Sequence, residues 1–317
     1  MASTGFQILR SSDAGAPTLS GTAGSLISVL DALLDIGGSD AYWAKAFTGT
    51  NKAVYRAANG DRYYFRVDDS NAQYADIRGF ATMSGVDTGT GQFPTATQQT
   101  AWSIIKSATA NSTARTYLGI ATDRFCLLLV NGGWTGSGQE LYCFGEIIKA
   151  NSADAGASVA KAYPATSTLG TTGFTVGSDI SVAFTNYVSG YSVPANNSSA
   201  MMPFAKNTDN SAAAGAGKYF GSQPTSSVRV GTYAEIQLIP LYVGGSVSSS
   251  AGKLRGRLPH VFVTFNDGGD TGLAVGDTFS DENGATYQLA FPTGTTVVGA
   301  TYPYLAIMTS NSERAGM

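Results

Sequence analysis

The chain has 317 residues, 43% of them hydrophobic, which is enough to bury two cores of its own. Charged residues make up only 13%, against a usual ~25%, so the polar surface must come from Ser, Thr, Asn and Gly. The net charge of −3 speaks against a polyanion-binding role, because the densest basic cluster, Lys253-Leu254-Arg255-Gly256-Arg257, has three cations and is too short to follow a phosphate backbone.

Residues 1–20 carry little periodicity and predict an extended N-terminal arm that lies on a neighbouring subunit; deleting it is expected to leave a folded monomer. No charged segment followed by an apolar core opens the chain, so no signal peptide is expected. No apolar run reaches the roughly 18 residues of a membrane helix, so no span is expected. Thr22 to Ile36 is the one helix predicted. Leu26, Leu30 and Leu33, with Ile27 and Leu34, form one apolar stripe, Thr22 is the expected cap, and Gly37-Gly38 the expected stop.

Lys52 to Arg56 and Arg62 to Asp68 flank Ala57-Ala58-Asn59-Gly60-Asp61 and predict a β-hairpin, with Asn59-Gly60 supplying the positive φ angles of a tight turn. Tyr63, Phe65 and Val67 fall on a core face; Arg62, Tyr64, Arg66 and Asp68 fall on the opposite one. Ile77 to Phe80 predicts a third strand, and Gly85 to Gly91 a glycine-spaced loop ending at Phe93-Pro94. Trp102 to Ser107, Arg115 to Ala121, Phe125 to Val130 and Glu140 to Ile148 follow with the spacing of an antiparallel meander. Cys126 and Cys143, the only cysteines, sit in two of these apolar runs and are expected as buried free thiols.

The composition of 150–181 suggests a domain boundary near residue 150, giving a helix plus β domain over 21–150 and a second β domain over 151–317 with long Ser/Asn/Gly-rich loops. Ala183 to Val188 has strand character, and Tyr191 to Ala216 reads as a long partner-contacting loop. Tyr233 to Val243 is a strand in which Pro240 demands an edge or a bulge. Leu254 to Phe265, Asp277 to Phe279, Thr286 to Phe291 and Tyr302 to Thr309 complete the domain, the middle two as a hairpin. The fold class expected is mainly β: two antiparallel sandwich or barrel-like domains with one N-terminal amphipathic helix.

Several of these segments together resemble a known family. Trp43, Lys45 to Arg56, Phe65 to Asp69, Arg78-Gly79, Met83 to Gly91 and Phe93-Pro94 are similar to virion structural proteins encoded by tailed bacteriophages and prophages. The likeness extends to Leu19–Leu34, Leu254–Pro259 and Gly276–Phe279, and is poor over roughly 150–225. It brings no catalytic residues with it. It implies a particle component, assembled in the host cytoplasm, whose partners are copies of itself and other virion proteins. Because tailed-phage components work as rings, a homo-oligomer of closed symmetry is implied. A low-charge, slightly acidic surface suits self-packing and would not grip passing DNA, which favours the tail, its tube or its baseplate. The alternatives are a capsid-surface or neck/collar protein and a carbohydrate-binding fibre module, for which Trp134, Tyr191 and Tyr219 would stack on sugars.

No enzyme is expected, and the site residues are none: catalytic, cofactor or metal. His260, the single histidine, lies between Pro259 and Val261 without an orienting partner in sequence, and neither cysteine lies beside it. Residues 266–272 and Asp281-Glu282-Asn283 are oxygen-rich loops, but turns of this composition need no ion. Gly215-Ala216-Gly217-Lys218 lacks the following Ser/Thr and the first glycine of a phosphate loop. Carboxylate pairs such as Asp68-Asp69 and Asp281-Glu282 have the chemistry of glycoside hydrolysis, but adjacent strand residues point to opposite faces.

Overall fold

The structure is a computed structural model that describes residues 6–38, 42–93, 103–132, 139–153, 156–162, 202–204, 215–220, 238–245, 254–266, 276–281, 283–292 and 302–310. Its first half contains β1 (Phe6–Arg10), α1 (Ser25–Leu33), β2 (Trp43–Gly49), β3 (Lys52–Ala57), β4 (Tyr64–Asp68), β5 (Tyr74–Phe80), β6 (Thr82–Gly85), β7 (Thr88–Thr90), β8 (Ser103–Ile105), β9 (Thr116–Thr122), β10 (Phe125–Asn131), β11 (Gln139–Glu146) and β12 (Ile148–Lys149). Beyond these come β13 (Ala157–Ala162), β14 (Met202–Phe204), β15 (Gly215–Phe220), β16 (Leu238–Gly245), β17 (Leu254–Asn266), β18 (Thr278–Ser280), β19 (Thr286–Pro292) and β20 (Tyr302–Met308). The protein is mainly β, with antiparallel sheets and one helix among the described residues.

Two sheets enclose the main core. A five-stranded sheet runs β2-β3-β4-β5-β8, and a larger sheet runs from β1 through β9, β10, β11 and β13 onward to β18. Strand alternation in β4 puts Phe65 and Val67 inside and leaves Tyr64, Arg66 and Asp68 on the outer face, as expected. Trp43, from the five-stranded sheet, meets Phe65 edge-on at 5.9 Å and Phe144 of the larger sheet at 5.5 Å, while its Nε1–H donates to the Thr122 carbonyl at 2.8 Å. The ring is thus both the apolar filler between the sheets and a hydrogen-bonded pin across them.

Helix α1 buries Leu26, Val29, Leu30, Leu33 and the following Leu34 in this core. It is shorter than Thr22 to Ile36, and its start is a correction. Gly24, not Thr22, is the N-cap; it has φ +82 and provides no side-chain cap. The stop also differs: Asp35 takes the left-handed conformation at φ 51, with Ile36 N–H donating to the Asp31 carbonyl and Asp35 N–H to that of Ala32. This is the paired bonding of a Schellman ending, completed before Gly37 is reached.

The N-terminal arm is a second correction. Residues 6–10 are β1, which pairs antiparallel with β9 of the same chain from Phe6↔Thr122 to Arg10↔Leu118, and Leu19 is fully buried and bridged to Arg115. Phe6, Ile8 and Leu9 pack against the core, so this segment has apolar surface to bury within its own subunit. The glycine-spaced segment after β5 is a third correction: Thr82–Gly85 and Thr88–Thr90 pair as a hairpin. Its Met83 and Val86 cover Val54, Phe47 and Tyr64 on the outer face of the five-stranded sheet.

The β3–β4 hairpin forms with Lys52↔Asp68 to Arg56↔Tyr64 in register. Positive φ falls at Gly60 (+73) and Arg62 (+55), not at Asn59, so the connection is longer than a two-residue turn. The expected meander is present as β9-β10-β11, but β8 pairs with β5 and so joins the other sheet.

Near residue 150 the sheet is continuous. β11 pairs with β13, β12 pairs with β17, and Ala150 N–H donates to the Arg255 carbonyl at 2.8 Å. Leu258, Val261, Ala290 and Ile307 belong to the same core as Leu127 and Phe144, while Phe262, Tyr287, Leu289 and Met308 form a smaller cluster. The anticipated division at 150 is therefore no break in either the hydrogen bonding or the main core. Pro240 lies in β16, between β15 and β17, at a register shift, so it sits at a bulge. The predicted strand Ala183 to Val188 and most of Tyr191 to Ala216 lie outside the described residues; the latter segment contributes β14 and begins β15.

Candidate functional site

Four charged clusters join elements of the fold. The innermost is at the start of α1. Asp69 directly follows β4 and turns inward, while Asp68 points outward, so the adjacent acids serve opposite sides. Asp69 Oδ2 accepts from the backbone N–H groups of Leu26 (2.8 Å) and Ile27 (3.3 Å), and its carbonyl accepts from Gly24 N–H at 3.0 Å. It is the helix cap, supplied from 43 residues away in sequence. Its other oxygen, Oδ1, accepts from Lys106 Nζ, which also donates to the Thr22 carbonyl at 2.7 Å. Both charged side chains have 0% exposure. Burial pushes the Asp69 carboxyl up against the opposing pull of Lys106, and burial likewise pushes the Lys106 amine down.

A second cluster docks the β3–β4 turn onto the large sheet. Glu146 Oε2 accepts from Asp61 N–H (2.8 Å), and Lys149 Nζ bridges Glu146 Oε1 (2.8 Å) and Asp61 Oδ1 (3.0 Å). Asp61 Oδ2 accepts from Gly156 N–H at 2.7 Å, and Asn59 Nδ2 donates to Asp123 Oδ2 at 2.8 Å. Gly60 lies so close to Glu146 that a Cβ there would overlap its Oε2. A third cluster links helix to sheet: Asp31 accepts from the Tyr55 hydroxyl (2.8 Å) and Lys45 Nζ (2.7 Å). Burial, then the Asp31 charge, pushes the Tyr55 phenol far up.

The fourth cluster is on the outer face. Arg66 and Lys52 both reach Asp87 at the tip of the β6–β7 hairpin, Arg66 Nη2 also donates to Asp68 Oδ2 at 2.9 Å, and Arg66 Nε donates to the Val86 carbonyl at 3.0 Å. Hydrogen bonds from Arg66 and Lys52 hold the Asp87 carboxyl below its usual range. This is an ionic clasp for a hairpin that would be marginal alone.

The residues singled out in sequence are scattered. His260 is 1% exposed, adopts φ +59, and its ring stacks on Phe6 at 5.0 Å. Cys126 and Cys143 are free thiols in paired strands, fully within the core, and burial pushes both up. Asp281 closes its turn, accepting from Asn283 and Ala285 N–H at 2.9 Å each and from the Tyr287 hydroxyl at 3.1 Å. Burial, then that carboxylate, raises the Tyr287 phenol to about 12. Gly215 to Lys218 are strand β15, not a loop, and Tyr219 is a strand residue opposite Val243. Residues 267–275, Glu282, Trp134 and Tyr191 lie outside the described residues. Among the described residues, no group of three or more His, Cys, Asp or Glu is placed to hold a metal ion, and no helix is long and apolar enough to cross a membrane.

The pairing of Asp69 with Lys106 is not legible in the sequence pattern. The signals were present: a lysine closing the apolar run Trp102 to Ile105, and an acid doublet in which one member must face inward. What the pattern lacks is any hint that the two meet. The chain matches no known protein-family model and no curated protein.

Proposed function

We propose that this protein is a structural subunit of a tailed bacteriophage virion, assembling with copies of itself into a closed ring in the tail, as part of its tube or baseplate. The observation that carries this reading is what the family-like residues do. Trp43 and Phe65 fill the space between the sheets, Asp69 caps the helix, and Arg66 and Asp68 clasp the β6–β7 hairpin. Gly79 lets the Phe93 ring lie against the backbone where a Cβ would collide with it. These are architectural tasks, as expected where a family keeps a shape rather than a reaction. A surface with only 13% charged residues in the whole chain also suits repeated self-packing, since few charges lose their water on association.

The test is assembly of the purified chain. Mass photometry and negative-stain microscopy are expected to find a ring of one fixed copy number at micromolar concentration or on mixing with lysate-purified tails. A strictly monomeric chain that also fails to join tails would reject the reading. The genes beside the coding sequence separate tail from head: tape-measure and baseplate neighbours support the tail, whereas portal and major capsid neighbours support the capsid-surface or neck alternative.

A further inference from the structure

We propose that the Lys106 amine and the Asp69 side-chain carboxyl condense into an intramolecular isopeptide bond, so that this pair is a self-processing modification site. The inference stands on the geometry of the pair and holds whatever the chain assembles into.

Joining an amine to a carboxylic acid requires that the two touch, that they exchange a proton to become neutral, that the oxyanion formed on attack be stabilised, and that water be kept away until it leaves as product. The Lys106–Asp69 site has each of these. Nζ is in hydrogen-bond contact with Asp69 Oδ1, and the Thr22 carbonyl fixes it from behind at 2.7 Å, so the attacking atom has little freedom left to lose. Both side chains have 0% exposure. In such surroundings the separated charges are disfavoured, and burial moves the amine down and the carboxyl up, towards the neutral forms that react. The N–H groups of Leu26 and Ile27 point at Asp69 Oδ2, 2.8 and 3.3 Å away, from the first turn of a nine-residue helix. Two backbone donors on one oxygen, at the positive end of a helix, are the arrangement that stabilises a developing oxyanion.

The step balances within the pair. Proton transfer from the Lys106 ammonium to Asp69 Oδ1 leaves a neutral amine and a carboxylic acid. The Nζ lone pair attacks Asp69 Cγ, a C–N bond forms, and the C=O electron pair moves to Oδ2 between the two amides. A proton passes from Nζ to the Oδ1 hydroxyl, the C–Oδ1 bond breaks, and one water departs as the carbonyl re-forms. No oxidant, reductant or cofactor is consumed. The product closes a covalent loop over β5, the β6–β7 hairpin and β8, which constrains the unfolded chain as a disulfide would without depending on redox state.

Two other lysine–aspartate pairs act as internal controls. Lys45–Asp31 (2.7 Å) and Lys149–Asp61 (3.0 Å) are also within hydrogen-bond reach, but their side chains remain 18%/33% and 15%/22% exposed. Water reaches both pairs, so the dry surroundings that condensation requires are missing, and neither pair is expected to condense.

The experiment is intact-mass spectrometry of the purified full chain after reduction and denaturation. The expected mass is that of the sequence less one water. The deficit must survive mild alkaline treatment, which hydrolyses succinimides, and fragment-ion sequencing must join the side chains of Asp69 and Lys106. Lys106→Arg, which keeps the charge but cannot condense, is expected to restore the full mass. An unmodified wild-type mass overturns the proposal, as does a water loss that alkali reverses or that maps elsewhere. The wild-type measurement decides the matter even if the variant fails to fold.

Discussion

Gly60 offers the sharpest test of how the two sheets are locked together. Its φ of +73 belongs to the left-handed region, and a Cβ at this position would overlap Glu146 Oε2. Gly60→Val therefore combines two penalties. Backbone strain contributes roughly 1–3 kcal/mol. Displacing Glu146, which is 5% exposed and holds both Asp61 N–H and Lys149, costs a further ~1–3 kcal/mol for unmade charged hydrogen bonds. The expected loss is about 2–6 kcal/mol, read from urea unfolding followed by tryptophan fluorescence. A cycle separates the two parts. In a Glu146→Ala background the collision is absent, so Gly60→Ala should cost only its strain, and the coupling between the two sites should exceed ~0.5 kcal/mol. Gly60→Val within about 0.5 kcal/mol of wild type would refute the reasoning.

Further outcomes follow from the other clusters. Asp69→Ala removes the cap of α1 and strands Lys106 in the core, and should cost at least about 3–5 kcal/mol in urea unfolding, the range for breaking a buried pair before any loss of a covalent loop is added; a loss typical of a surface site would contradict the burial described. Deleting residues 1–20 removes β1, buried Leu19 and the ring that stacks on His260, so soluble yield and cooperative unfolding should both fall, and a deletion that melts like wild type would overturn the strand pairing. Asp87→Asn should leave global stability within ~1 kcal/mol, because its partners act near the surface, yet speed amide exchange in 82–90. The Asp87 carboxyl is held below its usual value, so its contribution is present above about pH 4 and is lost as the pH falls through the lower folded value. Protection of the hairpin amides, relative to their intrinsic exchange rate, that is unchanged after acidification would count against the clasp. Cys126 and Cys143 should resist alkylation at pH 8 until the chain is denatured.

Local pattern made much of this fold legible. Alternation in Tyr63 to Asp68 assigned the two faces of β4, the leucine spacing found the buried stripe of α1, and Pro240 pointed to an edge or a bulge, of which the bulge is present, because each depends on neighbours in sequence. What pattern did not reveal depends on distance along the chain. Phe6 pairs with Thr122, Ile148 with Arg257, and Asp69 with both α1 and Lys106. A segment such as Phe6–Arg10 looks like a loose arm until its partner is known, and a Ser/Ala-rich stretch near 150 looks like a linker although the sheet passes through it. The charged clusters were hidden for the same reason. Asp61, Glu146 and Lys149 read as ordinary turn and strand residues, and only the stacking of one sheet on the other brings them together.

The central proposal, that this chain is a building block of a tailed phage particle, is tested most directly by imaging the particles produced from the genome that carries its gene. The account predicts density for this fold, with its five-stranded sheet and clasped hairpin, repeated as a closed ring in the tail. A complete particle whose every ring is accounted for by other proteins, with this chain absent from its protein content, would contradict it.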